Sequence, residues 1–493
     1  MKTNKIHSVK YNFIMNFFLS ASSFIFPLIT FPYISRVLLA EGNGKISFYS
    51  SVANYFLLVA SLGIPTYGIR ACAKVRDDLE ELSKTVKEIL TINRIMTTLV
   101  IVTYVISFFC VEKFSQEPEL FIMNGISIIL NMFGMTWLFQ ALEQYDYITI
   151  RSLLLKVVSI SLMFLFVHSP EDYKIQAGIT VFASCGFNLF NYFRARKYVN
   201  LKFKFTDLNL KRHLKPIFVL FSQSLAISVY TNLDTVMLGF MKGDTEVGYY
   251  NAAIKLKYIL LSLVFSLGQV LLPRMSYYVK NNMKDDFLNT MQKALNFTLE
   301  LALPLSIYFV IFSFEALMFL AGKGYIGAVT AMQIITVAII PNGLTGILGT
   351  QVLTSIEKEK FVLISVVIGA VSDFFLNIIC IPQYGAAGAA LATTICEFIV
   401  LFVQIYFCRT LLKLIWRKLH YKRYIIISMV ATITILPIKK VCIDSYLLCL
   451  IITSFIYFGS YLLCLIIIKD NLVLQLLSEI GLWFKDRIRI KDR

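Results

Sequence analysis

The chain has 493 residues, of which 57% are apolar and only 16% are charged, and its formal net charge is +17. A soluble protein this apolar would expose too much hydrophobic surface to stay dispersed, so the composition excludes a soluble globular protein. A strong positive charge is also typical of nucleic-acid-binding proteins. Its distribution along this chain argues against nucleic acid as a partner and favours a membrane protein.

Apolar runs of about 20 residues, the length of a membrane-crossing helix, recur from Tyr11 to Ile468. Fourteen are predicted, at 11–35, 46–66, 90–111, 120–142, 149–168, 175–196, 214–239, 247–272, 291–313, 326–350, 360–381, 386–411, 422–438 and 445–468. The first run is predicted to be a retained helix, because no small-residue cleavage site follows it.

One of these runs, 326–350, contains four helix-breaking residues: Pro341, Gly343, Gly346 and Gly349. It is therefore predicted to be bent or partly unwound. Such irregular backbone is tolerated at membrane depth only against protein or water.

The basic residues alternate from gap to gap between the apolar runs. Every second gap is crowded, and these gaps together hold 35 of the 47 lysines and arginines, whereas the intervening gaps hold 8 and the runs themselves hold 4. The positive-inside rule makes the crowded side cytoplasmic. With an even number of spans, both termini are predicted to be cytoplasmic, in a multi-pass protein of the inner membrane.

The gaps are too short for a soluble catalytic domain. The two longest, 67–90 and 194–215, are on the predicted cytoplasmic side, and the mixed charges of the first predict a surface helix. Nine cysteines and four histidines are scattered without any CxxC or HxxxH pair. They indicate neither a disulfide framework nor a metal site.

Two stretches of the first half have counterparts about 200–212 residues later. Residues 37–50 are similar to 236–251, and residues 170–178 are similar to 382–388. Six predicted helices separate each pair, so the repeat is parallel, as in transporters built from two six-helix lobes around a central cavity. The predicted organisation is an N-lobe at 1–200, a C-lobe at 201–412, and two extra helices with a basic cytoplasmic tail at 413–493.

Segments throughout the chain resemble the polysaccharide flippases, the translocases of O-antigen and capsule repeat units. They are Phe26–Gly44, Leu62–Arg70, Leu233–Gly239, Glu246–Ala253, Leu271–Ser276 and Pro382–Ala390. The resemblance implies the all-α fold of the multidrug/oligosaccharidyl-lipid/polysaccharide transporter superfamily. It also implies undecaprenyl-pyrophosphate-linked oligosaccharide as substrate, membrane lipids as surroundings, a polymerase or glycosyltransferase of the same pathway as a partner, and no enzymatic activity. One departure is Leu39-Ala40-Glu41, where the family often has Gly-Pro-Glu.

Basic residues in or beside the spans are the candidate substrate site, because an ionisable group at membrane depth is costly unless it is paired or hydrated. The candidates are Arg36, Arg70, Lys255 and Lys257. Lys255 and Lys257 lie two apart on a helix and point about 160° from each other, so only one can face a cavity, and Lys255 is favoured. Long side chains that reach the head groups, or a buried ion pair with an aspartate, remain the alternative.

A second group of polar residues is the candidate ion-coupling site. It comprises Asp234 on the seventh predicted helix, Asp373 and Asn377 on the eleventh, and Thr393, Thr394 and Glu397 on the twelfth. Oxygen ligands suit a hard cation, and the set resembles the sodium site of the lipid II flippases, with the acid and amide in reverse order. Sodium or proton coupling is therefore expected, with no other cofactor. A hydrogen-bonded seam between packed helices remains the alternative.

Two other functions are weighed against the flippase. A drug or cation antiporter of the same superfamily would favour an acidic and aromatic cavity, which the candidate basic residues disfavour. A membrane glycan polymerase or glycosyltransferase is disfavoured by the short outer gaps. The glycine-alanine run from Gly385 to Ala390 lacks the strand and lysine of a nucleotide-binding loop and predicts close helix packing instead.

Overall fold

The computed structural model describes residues 9–201, 208–265, 268–439, 445–470 and 473–474, and over these residues the chain is nearly all helical and contains no strand. This agrees with the predicted fold class. The helices of the first half are α1 (Val9–Ser61), α2 (Ile64–Lys74), α3 (Leu79–Cys110), α4 (Glu112–Ser115), α5 (Pro118–Asn131), α6 (Thr136–Ala141), α7 (Tyr145–Phe166), α8 (Tyr173–Cys185), α9 (Phe187–Ala195) and α10 (Lys211–Met241).

The second half continues with α11 (Asp244–Phe265), α12 (Gly268–Lys280), α13 (Lys284–Ile311), α14 (Ser313–Leu320), α15 (Val329–Val337), α16 (Ile339–Thr345), α17 (Glu359–Ile415), α18 (Tyr421–Lys439) and α19 (Tyr446–Ile467). The chain forms two compact units, residues 1–251 and 252–493. The predicted lobe boundaries rest on the sequence repeat and stay a prediction, and most of the predicted basic tail, 475–493, lies outside the described residues.

Within the described residues, seven helical stretches are long and apolar enough to cross a membrane, or eight if α10 counts as one span despite its 50° bend at residue 230. The predicted count of fourteen is therefore not confirmed. Two of the stretches, Ile14–Lys74 and Glu359–Lys418, have 61 and 60 residues. At 1.5 Å per residue each is roughly 90 Å long, several times the hydrocarbon thickness of about 30 Å.

Each of these two long stretches contains a sharp break where the sequence predicts a gap between spans. In α1 the break is Leu39, with φ 59° and ψ −172°, and in α17 it is Gly385, with φ 55° and ψ −128°. The break at Leu39 falls inside the predicted gap 36–45, and the rest of that gap is helical rather than irregular. The helix resumes at once because a single residue with positive φ redirects the backbone.

Small residues allow the chain to pack closely after the second break. A Cβ at Gly388 would overlap the carbonyl of Cys380. The predicted close packing of the glycine-alanine run is confirmed. The predicted irregularity of 326–350 is confirmed as well, because α15 gives way to α16 at Ala338 and the backbone widens into a π-helix over Gly346–Leu353.

The predicted surface helix at 67–90 is wrong in its second part. The side chain of Asp78 caps α3 by accepting hydrogen bonds from the backbone amides of Glu80 and Glu81, at 3.0 and 3.1 Å. Beyond this cap, apolar residues of α3 pack in the core of the N-terminal unit, where Leu82, Val86 and Ile89 are almost fully buried.

Candidate functional site

Two helical segments of the N-terminal unit meet through their backbones: the part of α1 just after the break at Leu39, and the beginning of α11. A Cβ at Gly44 would overlap the carbonyl of Asp244, and a Cβ at Gly248 would overlap the carbonyl of Ala40. We call these four residues the glycine contact. They belong to the two stretches that the predicted repeat equates, and each stretch presents a glycine to the backbone of the other. No other residue type fits either position without displacing the opposite segment.

Ion pairs and aromatic rings surround the glycine contact. The Lys113 ammonium lies 3.1 Å from Asp244 Oδ1, and the Lys45 ammonium lies 2.8 Å from Glu117 Oε1. Phe48 packs edge-on against Phe240, with ring centroids 5.2 Å apart. The charges at this end of the unit therefore neutralise one another within the protein. Sequence reasoning missed them, because these gaps were noted only as poor in basic residues.

Glu117 is held by two donors in the gap before α5. Tyr173 donates a hydrogen bond of 2.8 Å to its Oε2, and Lys45 binds its Oε1. Burial acts to raise the pKa of the Glu117 carboxyl, but these hydrogen bonds and the charge of Lys45 outweigh it, so the pKa is below its ordinary value.

The predicted residue Arg36 lies close to this end of the unit. Its side chain is exposed, and its Nη1 donates a hydrogen bond of 2.7 Å to the carbonyl of Pro32, one turn earlier in α1. This contact is local to the helix, so a substrate-binding role for Arg36 stays a prediction.

The predicted residue Asp234 is buried in α10, with 4% of its surface exposed. It accepts a hydrogen bond from the hydroxyl of Tyr250 on α11. Asp234 thus belongs to the N-terminal unit, whereas the other predicted ion-coupling residues belong to the C-terminal unit.

The two predicted lysines of α11 lie in different surroundings. Lys255 is exposed, whereas Lys257 is 4% exposed and has its ammonium 5.3 Å from the centre of the Tyr258 ring. Lys257 shares its side of the helix with the packed residues Ala253, Leu256, Leu260, Leu261 and Val264. Helix geometry separates the two lysines as the sequence predicts, and the accessible one is Lys255.

The accessible side of α11 around Lys255 is polar. Tyr258, three residues on, is 48% exposed, and Ser262, seven residues on, is partly exposed. Positions i, i+3 and i+7 lie on one face of a helix. A face with an ammonium, a phenol and a hydroxyl suits water or a polar ligand better than lipid chains.

The remaining predicted ion-coupling residues lie on either side of the break in α17. Asp373 and Asn377 are buried, and the Asn377 side-chain amide donates a hydrogen bond of 3.1 Å to Asp373 Oδ2. The hydroxyls of Thr393 and Thr394 donate to carbonyls one turn earlier, at 2.9 and 2.7 Å, and Glu397 is 4% exposed.

The structure thus brings Asp373 and Asn377 together, as the spacing of four predicts. Among the residues that the structure describes, no group of three or more histidine, cysteine, aspartate or glutamate side chains is arranged to hold a metal ion. A sodium site built from amide and hydroxyl oxygens stays a prediction.

A buried charge cluster lies at the other end of the N-terminal unit, where α2, α3 and the start of α10 meet. Glu88 is completely buried, and its Oε2 is 2.6 Å from Nη2 of Arg212 and 2.7 Å from Nε2 of His213. Its Oε1 accepts a hydrogen bond of 2.8 Å from the backbone amide of Asn209. Tyr67 completes the cluster with a hydroxyl 2.7 Å from His213 Nδ1.

Arg212 is bound along one face of α3. Besides Glu88, it donates hydrogen bonds to Glu81 Oε1 at 2.7 Å and to the hydroxyl of Thr85 at 3.3 Å. Sequence reasoning did not select Glu88 or Arg212. The spacing 81, 85 and 88 places three polar residues on one helix face and could have signalled this site, but their partner lies more than 120 residues away.

The predicted residue Arg70 lines an open cavity of about 820 Å³ beside this cluster. Its charged lining residues are Arg70, Lys74, Glu81, Arg212 and Lys215, and we call it the basic cavity. Along α10, Lys215 and Met241 are 26 residues apart, or roughly 40 Å at 1.5 Å per residue. The basic cavity, at the start of α10, and the glycine contact, just beyond its end, therefore lie at opposite ends of this helix.

Comparison with solved structures identifies the fold. The structure of the lipid II flippase MurJ in an inward closed conformation is similar over 94% of this chain and 100% of that one, with a TM-score of 0.74 and 17% sequence identity. A multidrug resistance MATE family transporter of the MOP superfamily, in an inward-facing conformation, is similar over 79% of this chain and 98% of that one, with a TM-score of 0.59 and 10% identity.

Sequence comparison adds named relatives. A protein named as an O-antigen transporter from Escherichia coli is 25% identical over 83% of this chain and 98% of its own length. A second of that name from Shigella dysenteriae is 27% identical over 54% of this chain and 67% of its own. The MatE family model matches residues 220–379, and the family model described as polysaccharide biosynthesis protein matches residues 9–279, more than half of the chain. The chain is therefore a multi-pass membrane protein that belongs to the polysaccharide biosynthesis protein family.

Proposed function

We propose that this protein is a flippase that moves undecaprenyl-pyrophosphate-linked oligosaccharide from the inner to the outer leaflet of the cytoplasmic membrane. Family membership and relatives named for O-antigen transport support a lipid-linked sugar as cargo. These relatives are transporters rather than enzymes, and moving a lipid between leaflets needs no covalent chemistry.

The observation that carries the proposal is the accessible face of α11 with Lys255, Tyr258 and Ser262. A pyrophosphate head must lose water when it enters the membrane, and a cation offers it a charge-assisted contact. Lys255 supplies that charge, and the neighbouring phenol and hydroxyl suit the polar groups of a sugar. Lys257 has a packing role because it lies on the buried side of the same helix.

The two ends of the N-terminal unit support movement by alternating access. One end is closed by the glycine contact, and the other is open at the basic cavity. The charge distribution of the gaps assigns the basic cavity to the cytoplasmic face. The cytoplasmic end then admits the head group while the outer end is closed, and the two ends exchange roles as the lobes rock. The lipid tail stays in the bilayer throughout.

The proposal is tested in vesicles that contain the purified protein and a fluorescent lipid-linked oligosaccharide. We expect leaflet exchange above that of protein-free vesicles. Replacing one charge-assisted contact costs about tenfold in rate, so Lys255→Gln is expected to slow exchange by about that factor. Lys280→Gln, on the exposed end of α12, is the matched control. Exchange no faster than in protein-free vesicles would remove the flippase proposal.

Ion coupling is a second part of the proposal. The buried Asp373–Asn377 pair would take up sodium or a proton, since a buried carboxylate gains most from a bound cation. Asp373→Asn is expected to abolish any dependence of exchange on a sodium or proton gradient. If wild-type exchange does not respond to either gradient, the pair is a structural seam between helices.

Drug or cation antiport is the alternative that the MatE match over 220–379 supports. The two functions differ in the charge of their cargo. An antiporter would extrude a cationic dye such as ethidium, and replacing Lys255 by glutamine would leave this extrusion intact. Cells that accumulate ethidium equally with and without the protein would exclude that alternative.

The predicted orientation and partners belong to the same proposal. Both termini are expected in the cytoplasm. Green fluorescent protein does not become fluorescent when it is exported across the membrane as an unfolded chain. A carboxyl-terminal fusion to it should therefore be bright in cells. A polymerase or glycosyltransferase of the same pathway would receive or deliver the lipid-linked sugar. Co-purification of such a protein from the native membrane would test that association.

A further inference from the structure

The basic cavity carries charge that the described residues do not neutralise. Three of its lining cations, Arg70, Lys74 and Lys215, form no ion pair or hydrogen bond within the described part of the chain. Arg212 is different, because Glu81 and Glu88 bind it. Four cations against these two carboxylates leave a surplus of two positive charges.

The free cations are held close to one another by the surrounding fold. Arg70 and Lys74 lie four residues apart, on one face of α2. The helix is pressed against α10, since a Cβ at Gly63, just before α2, would come within 2.7 Å of the Phe221 amide nitrogen. Like charges at this spacing repel, so they do not stabilise the fold. A bound anion would relieve the repulsion.

The cavity also has an apolar wall. Val75, Pro216, Val219 and Leu220 line it together with the cations. Val219 is 65% exposed, and the neighbouring Phe218 is 62% exposed. Exposed apolar side chains on a membrane helix face lipid, so a ligand here can place a charged head among the cations and a hydrocarbon chain along α10. A free phosphate ion would use only half of this surface.

The volume fits such a ligand. At about 820 Å³ the cavity lies within the range of about 300–1,000 Å³ that is usual for small-molecule sites. A pyrophosphate diester carries two negative charges, which equals the surplus that remains when both Glu81 of the lining and the buried Glu88 behind it are counted.

We propose that the basic cavity is a docking site for the pyrophosphate head of a prenyl-linked lipid, occupied before the head enters the membrane interior. The proposal rests on the flippase function, because it concerns the first contact of the same substrate. Arg70, Lys74 and Lys215 bind the phosphate oxygens. Arg212 is a positioning residue, since its own charge is committed to α3.

The binding test uses the full-length protein in lipid nanodiscs and three probes: farnesyl pyrophosphate, inorganic pyrophosphate and phosphatidylglycerol. The test variant combines Arg70→Gln, Lys74→Gln and Lys215→Gln. Loss of charge-assisted hydrogen bonds is expected to weaken farnesyl pyrophosphate binding by about tenfold or more. Lys84→Gln changes an exposed lysine of α3 outside the cavity and should leave the affinity within about twofold.

A charge-conserving variant separates binding from folding. Arg70→Lys with Lys74→Arg should retain most of the affinity, whereas a merely structural role would not depend on charge. Unchanged farnesyl pyrophosphate binding in the triple variant would overturn the proposal. An equal loss of phosphatidylglycerol binding would overturn the substrate assignment, and wild-type affinity for inorganic pyrophosphate equal to that for farnesyl pyrophosphate would overturn the role of the apolar wall.

The vesicle assay distinguishes this proposal from the flippase function itself. If the wild-type protein exchanges lipid and the triple variant does so with the same half-saturating substrate concentration, only the docking site is refuted. If the wild-type protein fails to exchange lipid at all, the flippase function is refuted whatever the binding data show.

Discussion

The two ends of the N-terminal unit, which α10 connects, differ in how they treat charge. At the glycine contact, backbones touch without intervening side chains, and the nearby Lys113 and Lys45 are each paired with a carboxylate. At the basic cavity, three cations face open space and have no partner among the residues that the structure describes. A closed, neutralised end and an open, charged end are what one state of an alternating transporter requires. One end thus neutralises its charges within the protein, whereas the other presents cations to a cavity that a ligand can enter.

The largest effect is expected from removing the buried carboxylate of Glu88 beside the basic cavity. Glu88→Gln would leave Arg212 and His213 without their buried counter-charge. Breaking a buried ion pair costs about 3–5 kcal/mol, and we expect about 3 kcal/mol because Arg212 is partly exposed. The measurement is the free energy of unfolding in mixed micelles of detergent and sodium dodecyl sulfate.

Glu81→Gln is the matched control for this prediction, since Glu81 binds the same arginine at the surface. Exposed ion pairs contribute about 0–1 kcal/mol, so Glu81→Gln should cost less than Glu88→Gln. Equal costs would mean that the cluster is not the anchor that its burial indicates.

A single added methyl group at Gly248 is expected to destabilise the closed end. Gly248→Ala would place a Cβ on the carbonyl of Ala40. Overpacking of this kind costs about 1–3 kcal/mol, and it destabilises only the closed state. We therefore expect slower leaflet exchange, together with greater labelling of a cysteine at Lys113 by an impermeant maleimide added outside.

Gly459→Ala is the control, because nothing lies within 4 Å of a Cβ at that position on α19. It should leave both measurements unchanged. Exchange and labelling of Gly248→Ala equal to those of the control would show that the glycine contact does not have to close so tightly.

The smallest effect concerns Glu117 beside the closed end. Tyr173→Phe removes a hydrogen bond to its carboxylate, which contributes about 1–2 kcal/mol because the acceptor is charged. The pKa of Glu117 is lowered in the folded protein, so its contacts stabilise fully above the ordinary carboxyl pKa of 4.5 and lose this contribution as pH falls through the folded-state value.

The corresponding measurement is the melting temperature as a function of pH for the wild type and Tyr173→Phe. The two curves should be separated by a constant amount near neutral pH and converge below pH 4.5. A difference in melting temperature that stays the same below pH 4.5 would mean that Lys45 and Tyr173 do not stabilise the ionised carboxylate.

Much of the fold follows from the sequence alone. The apolar runs predict an all-helical membrane protein because only a helix satisfies its own backbone in lipid. Pro341 and its neighbouring glycines predict the irregular stretch at 326–350, and the spacing of Asp373 and Asn377 predicts their contact. These are local features, set by residues within a few turns of one another.

The site was harder to predict because its parts come from distant segments. Glu88 meets Arg212, and Gly44 meets Asp244, only after the helices have packed. The helix breaks inside the predicted gap at 36–45, but the sequence does not show that one residue with positive φ is enough to make the break. Arg70 was predicted because it lies at a helix end. Lys74 and Lys215 could not be grouped with it from the sequence, because only the folded chain shows that the three residues line one cavity.

The central claim is that the glycine contact must open for the head group to leave. The most direct test joins Lys113→Cys to Asp244→Cys with a short thiol-reactive cross-linker that can be cleaved by a reductant, in vesicles with labelled lipid-linked oligosaccharide. We predict that cross-linking stops exchange and that reduction restores it, whereas the wild-type protein treated with the same reagent continues to exchange lipid. Undiminished exchange by the fully cross-linked protein would contradict the account.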